Sequence, residues 1–254
     1  MEEPEIHELA REDFVREVRS FRFWFESVRG YLSFDEEPGA PEHVPSADER
    51  ERLVTVLCNY CVGETAALEG ASGLVALASD HDAKIFLATQ AADEARHLEA
   101  FLRRLSELGI PEPETEIERR GAPTLLEFRR RLLDFVHTGN WVAAVFAQNV
   151  LLESLEFAVF QHHARVADPR TGRILAGIVK DERRHIGFGE NEIGRALLSD
   201  PSRRALLGRI HLELSPLLQK AVEDCGAAAG LAPRDVEAVR RLYGETLGRL
   251  GVTS

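Results

Sequence analysis

Two short segments of this sequence carry the same chemical signature, Asp93-Glu94-Ala95-Arg96-His97 and Asp181-Glu182-Arg183-Arg184-His185. In each, a glutamate precedes a histidine by three positions, which sets carboxylate and imidazole on one face of a helix. One such pair is an ordinary feature of a helix surface. Here the motif occurs twice, and each copy follows, by roughly thirty residues, a glutamate embedded in an apolar run. Glu64 ends the uncharged stretch Leu53 to Gly63, and Glu153 ends the uncharged stretch Trp141 to Leu152. Carboxylates so placed must point inward, where an ionised group is costly unless a cation offsets it. Carboxylate oxygen combined with imidazole nitrogen suits iron or manganese, so the chemistry implied is that of a two-metal centre held by Glu64, Glu94, His97, Glu153, Glu182 and His185. Glu156 is an accessory candidate, about 4.5 Å below Glu153 along the helix axis at 1.5 Å per residue.

The elements that position these side chains are helices. Prolines and glycines divide the chain into helical blocks with almost no strand-like alternation, which predicts an all-α fold. Ser46 is placed to cap a first long helix running to about Ser79, and Asp82 a second ending near Gly109. A third follows Gly139 and ends near Ala167, and a fourth starts around Asp168-Pro169 and stops before Pro201. Short connections make each pair an antiparallel hairpin. The longer stretch between them holds Pro111, Pro113, Pro123 and a short helix from about Leu125 to His137. Two hairpins joined by one long crossover form a ferritin-like four-helix bundle. Extra helices are expected at both ends: an aromatic stripe with Phe14, Val18, Phe21, Trp24, Phe25 and Val28 before the bundle, and a hairpin broken near Gly226 to Pro233 after it. Residues 1–254 read as a single domain, with core helices over about 46–200.

Levels along the bundle agree with faces. With the first hairpin turning near Asp80 and Asp82, Glu64 lies about 16 residues before the turn and Glu94/His97 about 15 after it. For the second, turning near Asp168, the values are about 15 for Glu153 and about 16 for Glu182/His185. All six side chains therefore meet at one height.

The surrounding residues have expected roles of their own. Asp93 and Asp181 should brace the histidines crosswise, His97 to Asp181 and His185 to Asp93, at about 2.8 Å, with Arg96 and Arg184 holding the aspartates charged. Gln90 and Asn149 fall one turn before ligands, at positions suited to hydrogen bonding them. Phe101, Phe146, Phe157 and Phe160 are candidates to line an apolar substrate pocket. Tyr60 and the pair Cys58/Cys61 read as packing residues.

These motifs resemble the di-iron ferritin-like superfamily over roughly Ser46 to Asp200. Segment 182–189, Glu-Arg-Arg-His-Ile-Gly-Phe-Gly, and segment 153–157, Glu-Ser-Leu-Glu-Phe, are similar to the branch containing the ribonucleotide reductase small subunit and its ligand-binding oxidase relatives. Departures narrow the resemblance. Phe101 stands where reductase subunits carry the radical tyrosine, Phe157 where multicomponent monooxygenases carry a threonine, and Ile178 where arylamine N-oxygenases carry a third histidine. The resemblance implies two iron ions, or manganese and iron, activating dioxygen to oxidise or oxygenate a small organic substrate. The alternative it implies is iron handling, as a ferroxidase or a rubrerythrin-like peroxide scavenger.

Composition sets outer limits. A formal net charge of −12 disfavours nucleic acid and anionic membranes as partners. With 44% hydrophobic and 29% charged residues, the chain has the balance of a globular protein. Three cysteines and an acidic start without a signal-peptide core lead to the expectation of a reduced, cytoplasmic setting, and of a homodimer without membrane insertion.

Overall fold

The computed structural model describes residues 45–229 and 232–248, together with Phe25, Val28 and Leu32. The N-terminal aromatic stripe otherwise lies outside the described residues. Among these, all regular structure is helical: α1 (Ala47–Leu77), α2 (His81–Glu107), α3 (Pro113–Arg120), α4 (Pro123–His137), α5 (Trp141–Val145), a π-helical segment (Phe146–Leu152), α6 (Glu153–His163), α7 (Pro169–Ser199), α8 (Arg203–Ala229) and α9 (Pro233–Gly248). Helices α1 and α2 form one antiparallel hairpin, and α5 through α6 pair with α7 in the other. Helix α4 packs on α1, α8 covers α4 and α1, and α9 covers α6.

Local sequence chemistry sets the boundaries. Ser46 and Glu49 form a reciprocal capping box, with Ser46 N–H donating to Glu49 Oε2 at 2.8 Å. The second helix is capped by Asp80 rather than Asp82: Asp80 Oδ1 accepts from Ala83 N–H at 2.9 Å. Asp82 falls inside the first turn, where a negative charge is favoured by the helix dipole. Helix α3 is an addition to the expected set, started by Pro113 at its first position, where the missing N–H costs nothing. Trp141–His163 is long and apolar enough to cross a membrane by length and composition. It is 89% buried inside the bundle, so its apolarity serves the core.

The register between hairpins is fixed by a buried polar tie. Arg104, two turns beyond His97 on α2, is buried and reaches the start of α7, with Nε donating to Thr171 Oγ1 at 3.1 Å and Nη2 to Asp168 Oδ1 at 3.2 Å. The same Asp168 oxygen accepts from the Arg170 and Thr171 N–H groups and so caps α7. One carboxylate thus begins the helix that carries Glu182 and His185 and locks its height against the helix that carries Glu94 and His97.

Asp80 and Asp168 are both N-caps, but only Asp168 also satisfies a buried guanidinium. Asp80→Ala is expected to cost about 1 kcal/mol, the usual loss of a cap. Asp168→Ala is expected to cost about 3 kcal/mol, because Arg104 is left underpaired in the interior. Urea unfolding of both variants checks this, and equal losses would show that the tie contributes nothing beyond the cap.

Candidate metal centre

The structure brings the six side chains into two overlapping groups. Glu64, Glu94, His97 and Glu182 offer one set of ligand atoms, and Glu94, Glu153, Glu182 and His185 the other, with the atoms of each set within 4.8 Å of one another. Glu94 and Glu182 belong to both sets, so they are placed to bridge, while Glu64 and Glu153 each serve one side. Both histidines turn Nδ1 inward: His97 Nδ1 lies 3.3 Å from Glu64, 3.1 Å from Glu94 and 3.3 Å from Glu182. His185 Nδ1 lies 3.2 Å from Glu94 and 3.5 Å from Glu153. All six residues are fully buried.

These residues fit a pair of cations. Both oxygens of Glu64 and of Glu182, one of Glu94, one of Glu153, and Nδ1 of His185 are buried without a hydrogen-bond partner. An interior normally satisfies such groups, and each orphan left bare costs on the order of 1–3 kcal/mol. Here they converge on one volume, which two divalent ions of oxygen and nitrogen preference would fill. Four carboxylates carry four negative charges, which two such ions neutralise.

Electrostatics without cations show the same demand. Burial pushes the Glu64 carboxyl up to about 8, against the attraction of His97. Burial also drives Glu153 well above the usual carboxylate range, reinforced by repulsion from Glu94 and Glu182. Glu94 moves the other way: burial opposes its ionisation, but His185 and His97 outweigh it and hold the carboxyl low. His97 is raised because Glu64 and Asp181 overcome its desolvation, and His185 because Glu94 and Asp93 do. Protons thus stand in the metal-free cluster where cations belong.

A crossed outer brace surrounds the ligands. His97 Nε2 faces Asp181 Oδ2 and His185 Nε2 faces Asp93 Oδ2, each at 3.4 Å. These separations exceed the expected 2.8 Å because each aspartate is shared with arginines. Arg96 Nη2 donates to Asp181 at 2.5 Å and to Asp93 at 2.9 Å, while Arg184 bonds both aspartates in mirror fashion. The pairing fixes each imidazole with its Nδ1 turned toward the ligand carboxylates.

An amide network holds only one side of the centre. Gln90 Nε2 donates to Glu153 Oε1 at 2.8 Å and to Glu94 Oε1 at 3.0 Å. Gln148 Nε2 donates to the same Glu153 oxygen at 2.8 Å and to Ala67 O at 3.2 Å. Asn149, expected beside Glu153, instead donates to Gln90 Oε1 at 2.7 Å and to His185 O at 3.3 Å. The reason is the π-helical segment, in which the Glu153 N–H bonds Gln148 O, five residues back. That wider turn carries Gln148 over Glu153 and shifts Asn149 aside. Gln148 was not foreseen, because in regular α geometry a residue five positions away lies about 140° round the helix. Gly189 of α7 admits this bulge: a Cβ there would lie 2.5 Å from Asn149 Cβ.

Beside the centre lies a cavity of about 280 Å³ between α1, α6, α8 and α9. Its wall is mainly apolar, including Val56, Leu125, Leu152, Leu155, Val159, Phe160, Val222 and Val239. Of the four phenylalanines expected to line a pocket, only Phe160 does so. Phe101 packs behind it against Tyr60, with ring centroids 5.3 Å apart. Phe146 is buried in the main core, and Phe157 lies under the Arg183 guanidinium, 5.2 Å from its ring centre. Tyr60 forms part of the wall, its hydroxyl hydrogen-bonded to His163 Nδ1 at 2.9 Å, and burial pushes that histidine down to about 4 so that it is neutral. Gly63 and Glu156, which neighbour the ligands Glu64 and Glu153 along their helices, line the cavity, whereas the six ligand residues themselves do not. Glu156 belongs to neither ligand group.

Because metal must displace the protons held by the cluster, uptake is expected to release protons and to tighten as pH rises toward 8. The sign for stability runs opposite in the metal-free protein. The unfolded glutamate ionises near 4.5, whereas Glu64 in the fold keeps its proton to about 8. The metal-free protein therefore loses stability across that interval, and the rise in Tm on metal loading should grow across it. Calorimetry in two buffers of different ionisation enthalpy, with melting curves at pH 5 and 8, checks both; heats independent of buffer would contradict the assignment.

Against known proteins, residues 54–254 match the model of the long-chain fatty aldehyde decarbonylase family. Among solved structures, a Synechococcus protein with aldehyde deformylating oxidase activity is similar, with TM-score 0.70 and 21% identity over 81% of this chain and 92% of that one. R2-like ligand-binding oxidase variants reconstituted with a Mn/Fe cofactor are similar as well. One, reconstituted anaerobically, gives TM-score 0.69 and 17% identity over 83% of this chain and 82% of that one. Another, reconstituted aerobically, gives 0.68 and 15% over 82% and 83%. These likenesses establish the ferritin-like fold, and the family match, which spans most of the sequence and every residue of the centre, establishes descent: the chain belongs to the long-chain fatty aldehyde decarbonylase family.

Proposed function

We propose that this enzyme is an aldehyde-deformylating oxidase, which cleaves a long-chain aliphatic aldehyde with dioxygen into the hydrocarbon one carbon shorter and formate. The observation that carries the reading is the apolar cavity beside the centre, whose wall includes Gly63 and Leu152, the residues that precede the ligands Glu64 and Glu153. An iron-storage or peroxide-scavenging site has no use for such a cavity, whereas an alkyl tail gains about 0.8 kcal/mol for each methylene it buries. Family membership and the activity of the Synechococcus relative support the same substrate class.

The reaction balances when one aldehyde, one dioxygen, four electrons and four protons give one alkane, one formic acid and one water. The C1–C2 bond breaks, the aldehyde hydrogen stays on C1 as formate leaves, and the alkyl carbon gains a hydrogen from solvent-exchangeable positions. The electrons come from a separate redox donor. A reducing cytoplasmic setting, in which Cys58, Cys61 and Cys225 remain free thiols, is part of this proposal.

When bound, the two metals, iron or manganese with iron, supply dioxygen binding and electron storage. The protein's own residues do the rest. The cavity wall aligns the tail so that only the aldehyde end reaches the centre, and its apolar surface keeps bulk water away. Gln90 and Gln148 fix one oxygen of Glu153 and aim the other inward. Asp93 and Asp181 hold the imidazoles in the tautomer that leaves Nδ1 available.

Metal-loaded protein supplied with dodecanal, dioxygen and a chemical reductant should yield undecane and formate in equal amounts. With 1-deuterated dodecanal the deuterium should appear in formate. Dodecanoate as the product would show oxidation without C–C cleavage, and metal oxidation with no consumption of aldehyde would return the protein to iron handling.

A further inference from the structure

Among the described residues, Glu156 is the one acid in the cavity wall, and it is not one of the six ligands. It lies on α6, one turn beyond Glu153, and is 7% exposed. Gly63, another wall residue, leaves room for its carboxyl, since a Cβ there would collide with Glu156 Oε1. Its Oε2 is enclosed without a hydrogen-bond partner. Burial, reinforced by repulsion from Glu64 and Glu153, holds the proton on this group well above the usual carboxylate range. A neutral carboxylic acid has one O–H to donate. The other polar groups of the wall are differently placed. Asn59 gives its amide to Thr55 O and Arg120 O and accepts from the Ala122 N–H. Tyr60 and His163 are hydrogen-bonded to each other at 2.9 Å. His162 is partly exposed and turns Nε2 toward Asp235, 3.9 Å away, and the thiol of Cys225 is a weak donor. The Glu156 acid is thus the strong buried donor that faces an apolar space without an acceptor, a cost that a ligand oxygen would remove.

We propose that Glu156 is the polar anchor of the cavity: its carboxyl donates a hydrogen bond to the oxygen that ends an aliphatic chain, and so sets which way round the chain lies. The apolar wall accepts a tail in either direction, because burial of methylenes is non-directional. One fixed donor breaks that symmetry. It stands beside Gly63 and Leu152, the wall residues that precede Glu64 and Glu153, so the anchored end is the one next to the centre. Any chain-end oxygen with a lone pair can accept, whether aldehyde, alcohol or acid. The hydrocarbon left after loss of C1 has no such oxygen, and in its presence the O–H stays unpaired. The same residue therefore favours substrate over product in the cavity.

This inference rests on the cavity being the seat of an aliphatic chain, and the experiment separates the two. Zinc-loaded wild type, Glu156→Gln, Glu156→Leu and Glu156→Ala are titrated calorimetrically with 2-tridecanone and with tridecane. The ketone carbonyl band is read in each by infrared difference between carbonyl-labelled and unlabelled ligand. Circular dichroism and zinc content verify the fold, and either apolar variant serves if the other does not assemble. In wild type the carbonyl band should lie below its position in alkane solution, the mark of an accepted hydrogen bond. Glu156→Gln, whose amide keeps a donor, should retain part of that lowering. In Glu156→Leu and Glu156→Ala the band should return to the alkane position and the ketone should bind about tenfold more weakly, a shift of about 1.4 kcal/mol. Tridecane should bind these variants at least as tightly as it binds wild type. A band at the alkane position in wild type, a lowered band in the apolar variants, or equal ketone affinity in all forms would overturn the anchor and leave the chain-binding cavity standing. Failure of both ketone and tridecane to bind any form would overturn the chain-binding cavity and this inference with it.

Discussion

The governing constraint is the burial of carboxylates that have nothing within the protein to satisfy them. Glu64 and Glu182 are fully enclosed with both carboxylate oxygens bare. Asn59, for comparison, is nearly buried and spends its amide on Thr55 O, Arg120 O and the Ala122 N–H. Most of the bare carboxylate oxygens among the described residues gather at this one location, and the free energy that would stabilise them must come from bound cations. Folding stability and metal occupancy are then a single linked quantity, since an ion that binds only the native state stabilises it in proportion to its occupancy.

Around that constraint the bundle is pseudo-symmetric outside and asymmetric inside. The aspartate–arginine brace treats the two histidines alike, with the same 3.4 Å separation on each side. The amide network does not. Glu153 has one oxygen held by two amides, whereas Glu64 has both oxygens unheld and a glycine as its neighbour, next to the cavity. A carboxylate with two hydrogen bonds resists reorientation, and one with none can change its mode of ligation at small cost. The two metal positions are thus made unequal by their surroundings while their ligand sets remain chemically identical.

Much of this was legible in the sequence because the site breaks the rules that govern ordinary helices. A lone Glu64 after eleven uncharged residues, and twin Asp-Glu-x-Arg-His motifs at matching distances from the hairpin turns, are improbable on a helix surface. The bundle and the convergence of these side chains follow from period and spacing alone. What the sequence could not show is which apolar side chains face one another across helices. Phe101, Phe146, Phe157 and Phe160 all sit at helical spacing near the ligands, yet only Phe160 reaches the cavity, whose wall also draws on Leu125 of α4 and on Ala221, Val222 and Val239 of α8 and α9. Those residues are distant in sequence, and hydrophobic identity carries no address.

The π-helical segment explains the other failures together. A regular helix returns a side chain to the same face after about 3.6 residues, whereas a π turn inserts one extra residue and rotates the upstream helix by about 100° relative to the downstream one. Any reading that counts back from Glu153 in α-helical steps is correct only as far as Leu152. Beyond it, Asn149 is placed against Glu153 when it faces Gln90 and the α7 backbone, Gln148 is sent toward the outside when it clasps the ligand, and Phe146 is offered to the pocket when it belongs to the core. No residue type in Phe146–Leu152 announces the insertion. Its signal lies on the partner helix, where Gly189 yields the space that the bulged backbone of Asn149 requires, so that the residue that makes the π turn possible is forty positions away from it.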